Sequence, residues 1–230
     1  MTRPPEDQPD DDAIRIEIDV LAAERVIFFS DAVVAIAITL LALALPVPHG
    51  GSNSEVLRSM SRDINAYIAF LISFVVVGSH WRWHHRVFKY VARLDERIIG
   101  LNMIWLLMVV VTPFAARLLA GTGAFGVRFG FYAVVQIIAF LVFVQMSRLL
   151  RRRGLLRLEP PDAHQIDVRL LTLAGLFAIS IPIAFVTPLA FAIWIAGPVA
   201  GRVWLLTQSR GRGGRIVTML RKHLGGKHVS

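Results

Sequence analysis

The sequence predicts an all-α, polytopic membrane protein with six transmembrane helices. Three observations carry that expectation. Of the 230 residues, 55% are hydrophobic, and the mean hydropathy of +0.60 is too high for an ordinary soluble domain. The apolar residues gather in six runs, each near the ~20 residues a helix needs to cross the hydrocarbon. The basic residues fall between those runs, and they are dense in alternate loops only. The formal charge of +9 could suggest nucleic acid, but this placement favours membrane orientation and no nucleic-acid partner. Cysteine is absent, so disulfides and thiolate metal sites are excluded.

Residues 1–24 hold eight of the 16 acidic residues and two of the 25 Lys+Arg. The remaining chain therefore carries 23 basic against 8 acidic residues, a formal +15. With Pro4, Pro5 and Pro9, this leader reads as a disordered acidic tail that turns helical near Ile14. It does not have the composition of a cleaved signal peptide. The membrane domain is expected over 25–208, and a basic tail over 209–230.

The six runs are 26–45, 64–81, 98–120, 129–148, 168–187 and 188–206. Helix is expected to continue between the second and third, because no Gly or Pro interrupts that stretch before Gly100. The fifth and sixth are separated only at Thr187-Pro188, which predicts a tight hairpin, and Pro182, Pro188 and Pro198 can each bend a helix there. Loop 82–97 has Arg82, Arg86, Lys89, Arg93 and Arg97, and loop 148–167 has Arg148, Arg151, Arg152, Arg153 and Arg157. The C-terminal tail adds Arg210, Arg212, Arg215, Arg221, Lys222 and Lys227. The alternate loops hold only Arg58 and Arg62, then Arg117 and Arg128, then none. An even number of spans then places both termini in the cytoplasm.

Familiar catalytic and nucleotide motifs fail on context. Gly121-Thr122-Gly123-Ala124-Phe125-Gly126 spells G-x-G-x-x-G, but it follows a membrane helix and lacks the strand a dinucleotide site needs. No Walker A, H-E-x-x-H or G-x-S-x-G occurs, and no T-V-G-Y-G filter. Neither an enzyme site nor a cofactor is expected. The run His80-Trp81-Arg82-Trp83-His84-His85 is richer. Ser73, Val77, His80 and His84 share one helical stripe, which reads as a polar seam bonding to a neighbouring helix. Metal or haem binding through the histidines, and proton sensing, stay open beside it, although no acid or third ligand accompanies the pair.

The first run opens RVIFFSDAVVAIAITLLALAL, from Arg25 to Leu45. At ~100° per residue, Ile36, Thr39, Leu40 and Leu43 form one apolar stripe with a single hydroxyl, extended by Phe29 and Ala32. Ser30 and Asp31 lie off it. A carboxylate at this depth costs roughly 2.5–3.5 kcal/mol on insertion scales, so Asp31 is expected to face protein or water. It would tether the helix through Arg25, the Ser73/His80/His84 seam or Asn102. Periodicity leaves open whether the stripe meets lipid or something else.

Arg25, Phe29, Ser30 and Asp31 fit R-x-x-x-F-S-D, continued by Ala35-Ile36-Ala37-Ile38-Thr39-Leu40-Leu41. Together with Trp81-Arg82-Trp83-His84-His85 after the second run, the length and the span count, this resembles the prokaryotic branch of the transmembrane protein 175 family. The resemblance covers 25 to about 206 and leaves both tails outside. It implies a cation channel selective for potassium over sodium, in a prokaryotic plasma membrane, whose first helix lines a central pore. On that basis Ile36, Leu40 and Leu43 form the constriction, Thr39 bears on ion preference, and Arg25, Phe29, Ser30 and Asp31 hold the first helix against its neighbours. Potassium is then the permeant ion, and lipid and further copies of the chain are the partners. The family's animal branch carries two copies of the six-helix unit and pairs up, so with one F-S-D here the resemblance implies four chains around one pore, a homotetramer. Competing expectations are a proton-coupled or small-solute transporter using Asp31 and His80, a haem protein built on His80, His84 and His85, and a purely structural bundle.

Overall fold

The computed structural model describes residues 11–187 and 189–194, and the chain is helical nearly throughout. Helix α1 runs Asp11–Leu43, α2 Asn53–Arg62, α3 Ile64–Phe88, α4 Glu96–Ala120, α5 Phe125–Arg152 and α6 Ala163–Ala184. Five of them, all but α2, are long and apolar enough to cross a membrane. A further helical turn covers 190–194. Pro188, most of the expected sixth span and the basic tail 209–230 lie outside the described residues, as do residues 1–10.

The helices are arranged from one edge of the bundle to the other. Helix α1 packs on α3 and α4, α3 on α4, α4 along α5, and α5 along α6. The core is aromatic: Trp105, Phe129, Tyr132, Phe140 and Phe143 are fully buried. Trp194 joins it by stacking on Phe129 (4.2 Å) and Phe177 (4.6 Å), and its Nε1 donates to Ser180 Oγ (2.9 Å). That indole seats the 190–194 turn on α5 and α6.

Three features differ from the expectation. First, the leader, expected to turn helical near Ile14, is helical from Asp11 and runs unbroken into the first span. Residues 11–24 contain no Gly or Pro and several strong helix formers, and the span provides the nucleus that a short isolated helix lacks. Second, the expected continuous helix between α3 and α4 breaks at 89–95. Asp95 caps the new start, its Oδ1 accepting from the Ile98 N–H (2.9 Å). Third, a short amphipathic helix, α2, precedes α3; Ser52 caps it by accepting from the Glu55 N–H (3.4 Å).

At the Arg-rich end, the α3–α4 and α5–α6 connections pair with each other. Ala92 N–H donates to Leu155 C=O (2.9 Å), and Arg157 N–H to Tyr90 C=O (2.7 Å). Arg86 meets Asp162 (2.9 Å), Arg153 meets Asp95, and Arg148 (3.3 Å) and Arg151 both meet Asp167. Much of the positive charge at this end is thus matched by acids of the same chain. The Ile98 N–H, and then Arg153, hold the Asp95 carboxyl below its ordinary 3.8. A depressed pKa stabilises the fold above the unfolded value and loses that contribution as pH falls through the folded one. Asp95→Ala should therefore cost ~1 kcal/mol near neutrality, as lost caps do, and progressively less as pH falls through the lowered folded value. Asp95→Asn should keep most of the cap. Thermal melts of the three proteins against pH check both points.

At the opposite end, Arg128 closes the C-terminus of α4. Its guanidinium donates to the carbonyls of Leu119 (3.1 Å), Gly121 and Gly123 (2.6 Å). The G-x-G-x-x-G stretch is therefore a turn whose carbonyls bind an arginine, not an amide cradle for phosphate.

Candidate functional site: the first helix and its polar anchor

Helix α1 has two unlike faces. Ala23, Ser30, Val34, Ala37 and Leu41, spaced three, four or seven apart, are buried against the same chain. Small residues at three of these positions let α1 lie close to α3 and α4. The other face is uncovered: Ile36 is 59% exposed and Leu43 82%, and Phe29, Thr39 and Leu40 are exposed with them. Thr39 Oγ1 donates its proton to the Ile36 carbonyl (2.8 Å). Its lone pairs are then what it presents outward.

The buried face is fixed by a hydrogen-bond relay whose direction the geometry sets. Ser30 Oγ donates to Val26 C=O (2.7 Å), so it can only accept from Asn102. Asn102 must present its Nδ2 there (2.9 Å), which turns its Oδ1 toward His84 Nε2 (3.2 Å). That places the proton of His84 on Nε2. A second relay repeats the logic one turn away. Thr112 Oγ1 donates to Met108 C=O (2.8 Å) and accepts from Gln136 Nε2 (3.2 Å); Gln136 Oε1 then accepts from His80 Nε2 (3.1 Å). Ser73 Oγ donates to the Tyr132 hydroxyl (3.2 Å). These contacts tie α1, α3, α4 and α5 through groups that lipid cannot satisfy.

Aromatic rings hold the histidines. His84 stacks on Phe88 (3.9 Å) and Trp105 (4.7 Å), and His80 on Phe140 (4.8 Å). No group of three potential metal ligands occurs among the described residues. Asp31 is half-buried and accepts from Trp81 Nε1 (3.1 Å), a different partner from Arg25, the seam or Asn102. Arg25 is exposed and has no hydrogen-bond or ion-pair partner among the described residues. Asp31 and His80 belong to separate hydrogen-bonded groups. Sequence reasoning passed over Gln136, Thr112 and Tyr132, although a lone amide in an apolar run must find a partner, and that was the available signal.

Ser30→Ala should strand the Asn102 amide at a cost of ~1 kcal/mol, and Asn102→Leu, which also strands His84, about twice that. Melting temperatures of the detergent-solubilised protein read the difference.

Residues 25–113, from the arginine of the R-x-x-x-F-S-D motif to Pro113 in α4, match the profile of the endosomal/lysosomal potassium channel TMEM175. A potassium channel of Streptomyces collinus is 34% identical over 176 residues, spanning 73% of this chain and 85% of that protein. The chain belongs to the TMEM175 family. A potassium channel of Chamaesiphon minutus is 33% identical over 148 residues, covering 62% of this chain and 73% of the other. The crystal structure of a lysosomal potassium-selective channel TMEM175 homolog from Chamaesiphon minutus superposes with a TM-score of 0.66 at 26% identity, over 79% of this chain and 97% of that one. TMEM175 relatives are ion channels, and this chain is a multi-pass, all-helical member of their family.

Proposed function

We propose that this TMEM175 protein is a potassium channel in which four copies surround one pore lined by α1. The supporting observation is the two-faced α1. Its inner face is packed within its own subunit, and Ile36, Thr39, Leu40 and Leu43 are left exposed by the described residues. Four such stripes around an axis make a neck of Ile36, Leu40 and Leu43. A narrow apolar neck resists wetting and closes without a plug. Opening spreads or rotates the α1 helices. Potassium gives up its hydration more readily than sodium, so partial dehydration at the neck favours it, helped by the outward lone pairs of Thr39. With no charged ring at the neck, the preference is modest.

Asp31 and the Ser30–Asn102–His84 relay hold the back of α1, so the stripe keeps its direction. Arg25 and Phe29 lie on the uncovered side, free to meet a neighbouring copy. The channel sits in the plasma membrane of a prokaryote with both termini cytoplasmic, as the Arg-rich end of the bundle supports. Purified protein in planar bilayers tests the proposal. Single-channel openings should reverse near the potassium equilibrium potential, and from symmetric potassium the reversal should move away from zero, in the direction that favours potassium, when sodium replaces potassium on one side. Saturable flux that follows a proton gradient would replace the channel by a transporter.

A further inference from the structure

Below Arg25, helix α1 continues for 14 residues to Asp11, a reach of ~21 Å at 1.5 Å per residue. This stretch exposes four large apolar side chains, Ile14, Ile16, Ile18 (58% exposed) and Leu21, and Ile14, Ile18 and Leu21 recur on one side at spacings of four and three. They are in register with the stripe above. Eighteen residues make five turns of ~3.6, so Ile14 lies beneath Ala32, Ile18 beneath Ile36 and Leu21 beneath Thr39. One continuous helix cannot turn the upper stripe to an axis without turning the lower residues to the same axis.

We propose that residues 11–24 of four copies close into a short parallel four-helix bundle directly beneath the pore. The 4-3 spacing is the seam of such a bundle. Arg15 and Glu17 flank the seam on opposite sides, so in a cyclic ring each copy offers its Arg15 to the Glu17 of the next. Residues 11–24 carry five acids and one arginine, which opposes the alternative resting place on an anionic bilayer surface. Arg25, seven residues above Ile18, falls on the same stripe and ends the apolar seam at the membrane edge. The bundle ties the lower ends of the pore helices, and spreading at Ile36 works against it.

The inference rests on the tetrameric pore, and cysteine cross-linking separates the two. The chain has no cysteine, so single-cysteine variants of the full protein report one position each. Ile18→Cys tests the bundle, Leu43→Cys the pore axis, and Ile16→Cys, 65% exposed on nearly the opposite face from Ile18, controls for collision. Membranes are oxidised with copper phenanthroline and read as ladders on denaturing gels. Ile18→Cys should link about tenfold faster than Ile16→Cys, reflecting the high effective concentration within a seam, and Leu43→Cys should link too. Leu43→Cys linking without Ile18→Cys would overturn the bundle and keep the pore. Equal rates at 16 and 18 would overturn the bundle as well. If neither 18 nor 43 links, the tetrameric pore fails with it.

Discussion

Ile36→Asn should raise potassium current about tenfold, which corresponds to a fall of ~1.4 kcal/mol in the barrier at the neck. The expected gain comes from water. A ring of four isoleucines offers no hydrogen bond, so the water column through it breaks, and an ion crossing it sheds hydration without replacement. Four amides restore partners at the same radius. Ile36→Ala should also raise current by widening the neck, with weaker selectivity. Both variants suit interpretation because Ile36 is 59% exposed in its own subunit, so little packing is lost on substitution. Paired bilayer recordings of wild type, Ile36→Asn and Ile36→Ala check the effect, with protein amount normalised. Unchanged current in both variants removes Ile36 from the neck and turns the stripe toward lipid.

What the sequence made legible follows from the range of the interactions involved. The long helices were readable because a ~20-residue apolar run has one main solution in lipid. The two faces of α1 were readable because a 3.6-residue period is local: Ile36, Thr39, Leu40 and Leu43 separate from Ser30 on the wheel without knowledge of any neighbour. The break at 89–95 was not readable, since it contains no Gly or Pro. It is held by Asp95 at a helix start and by pairing to Leu155 and Arg157, more than sixty residues away. The helix over 11–24 was partly readable: a turn to helix near Ile14 was expected, while its acidic composition, which resembles disorder, hid that it joins the first span without a break. The anchor was half visible. Ser30, His84 and Asn102 stood out as polar groups in apolar runs, but that Asn102 meets Ser30, while Trp81 takes Asp31, depends on how α3 and α4 cross α1.

Asp167→Ala should lower the stability of the protein by ~3 kcal/mol, the largest loss expected from a single polar substitution here. Asp167 is 2% exposed near the start of α6 and accepts from Arg148 (3.3 Å) and from Arg151, which is itself bonded to Ser147 Oγ (2.7 Å). Removing the carboxylate leaves the partly buried Arg151 guanidinium with only the exposed Glu159 at 3.9 Å as an acidic partner, and that under-compensated cation is where most of the cost arises. Arg148 is more exposed and regains water, which keeps the figure at the low end of the range for broken buried pairs. Asp167→Asn should lose less, because one oxygen still accepts, and its second group falls where Oδ1 has no partner among the described residues. Arg151→Met with Asp167→Leu should recover much of the loss by removing both charges together. Thermal melts of the solubilised variants give the order Asp167→Ala below Asp167→Asn below wild type, with the double variant above Asp167→Ala. Permeability ratios should be unchanged in every variant that folds, because the pair joins α5 to α6, whereas α1 packs on α3 and α4. If Asp167→Ala melts with wild type, the pair is solvated in the membrane-bound protein and the α5–α6 packing is carried by Trp194 and its aromatic neighbours instead.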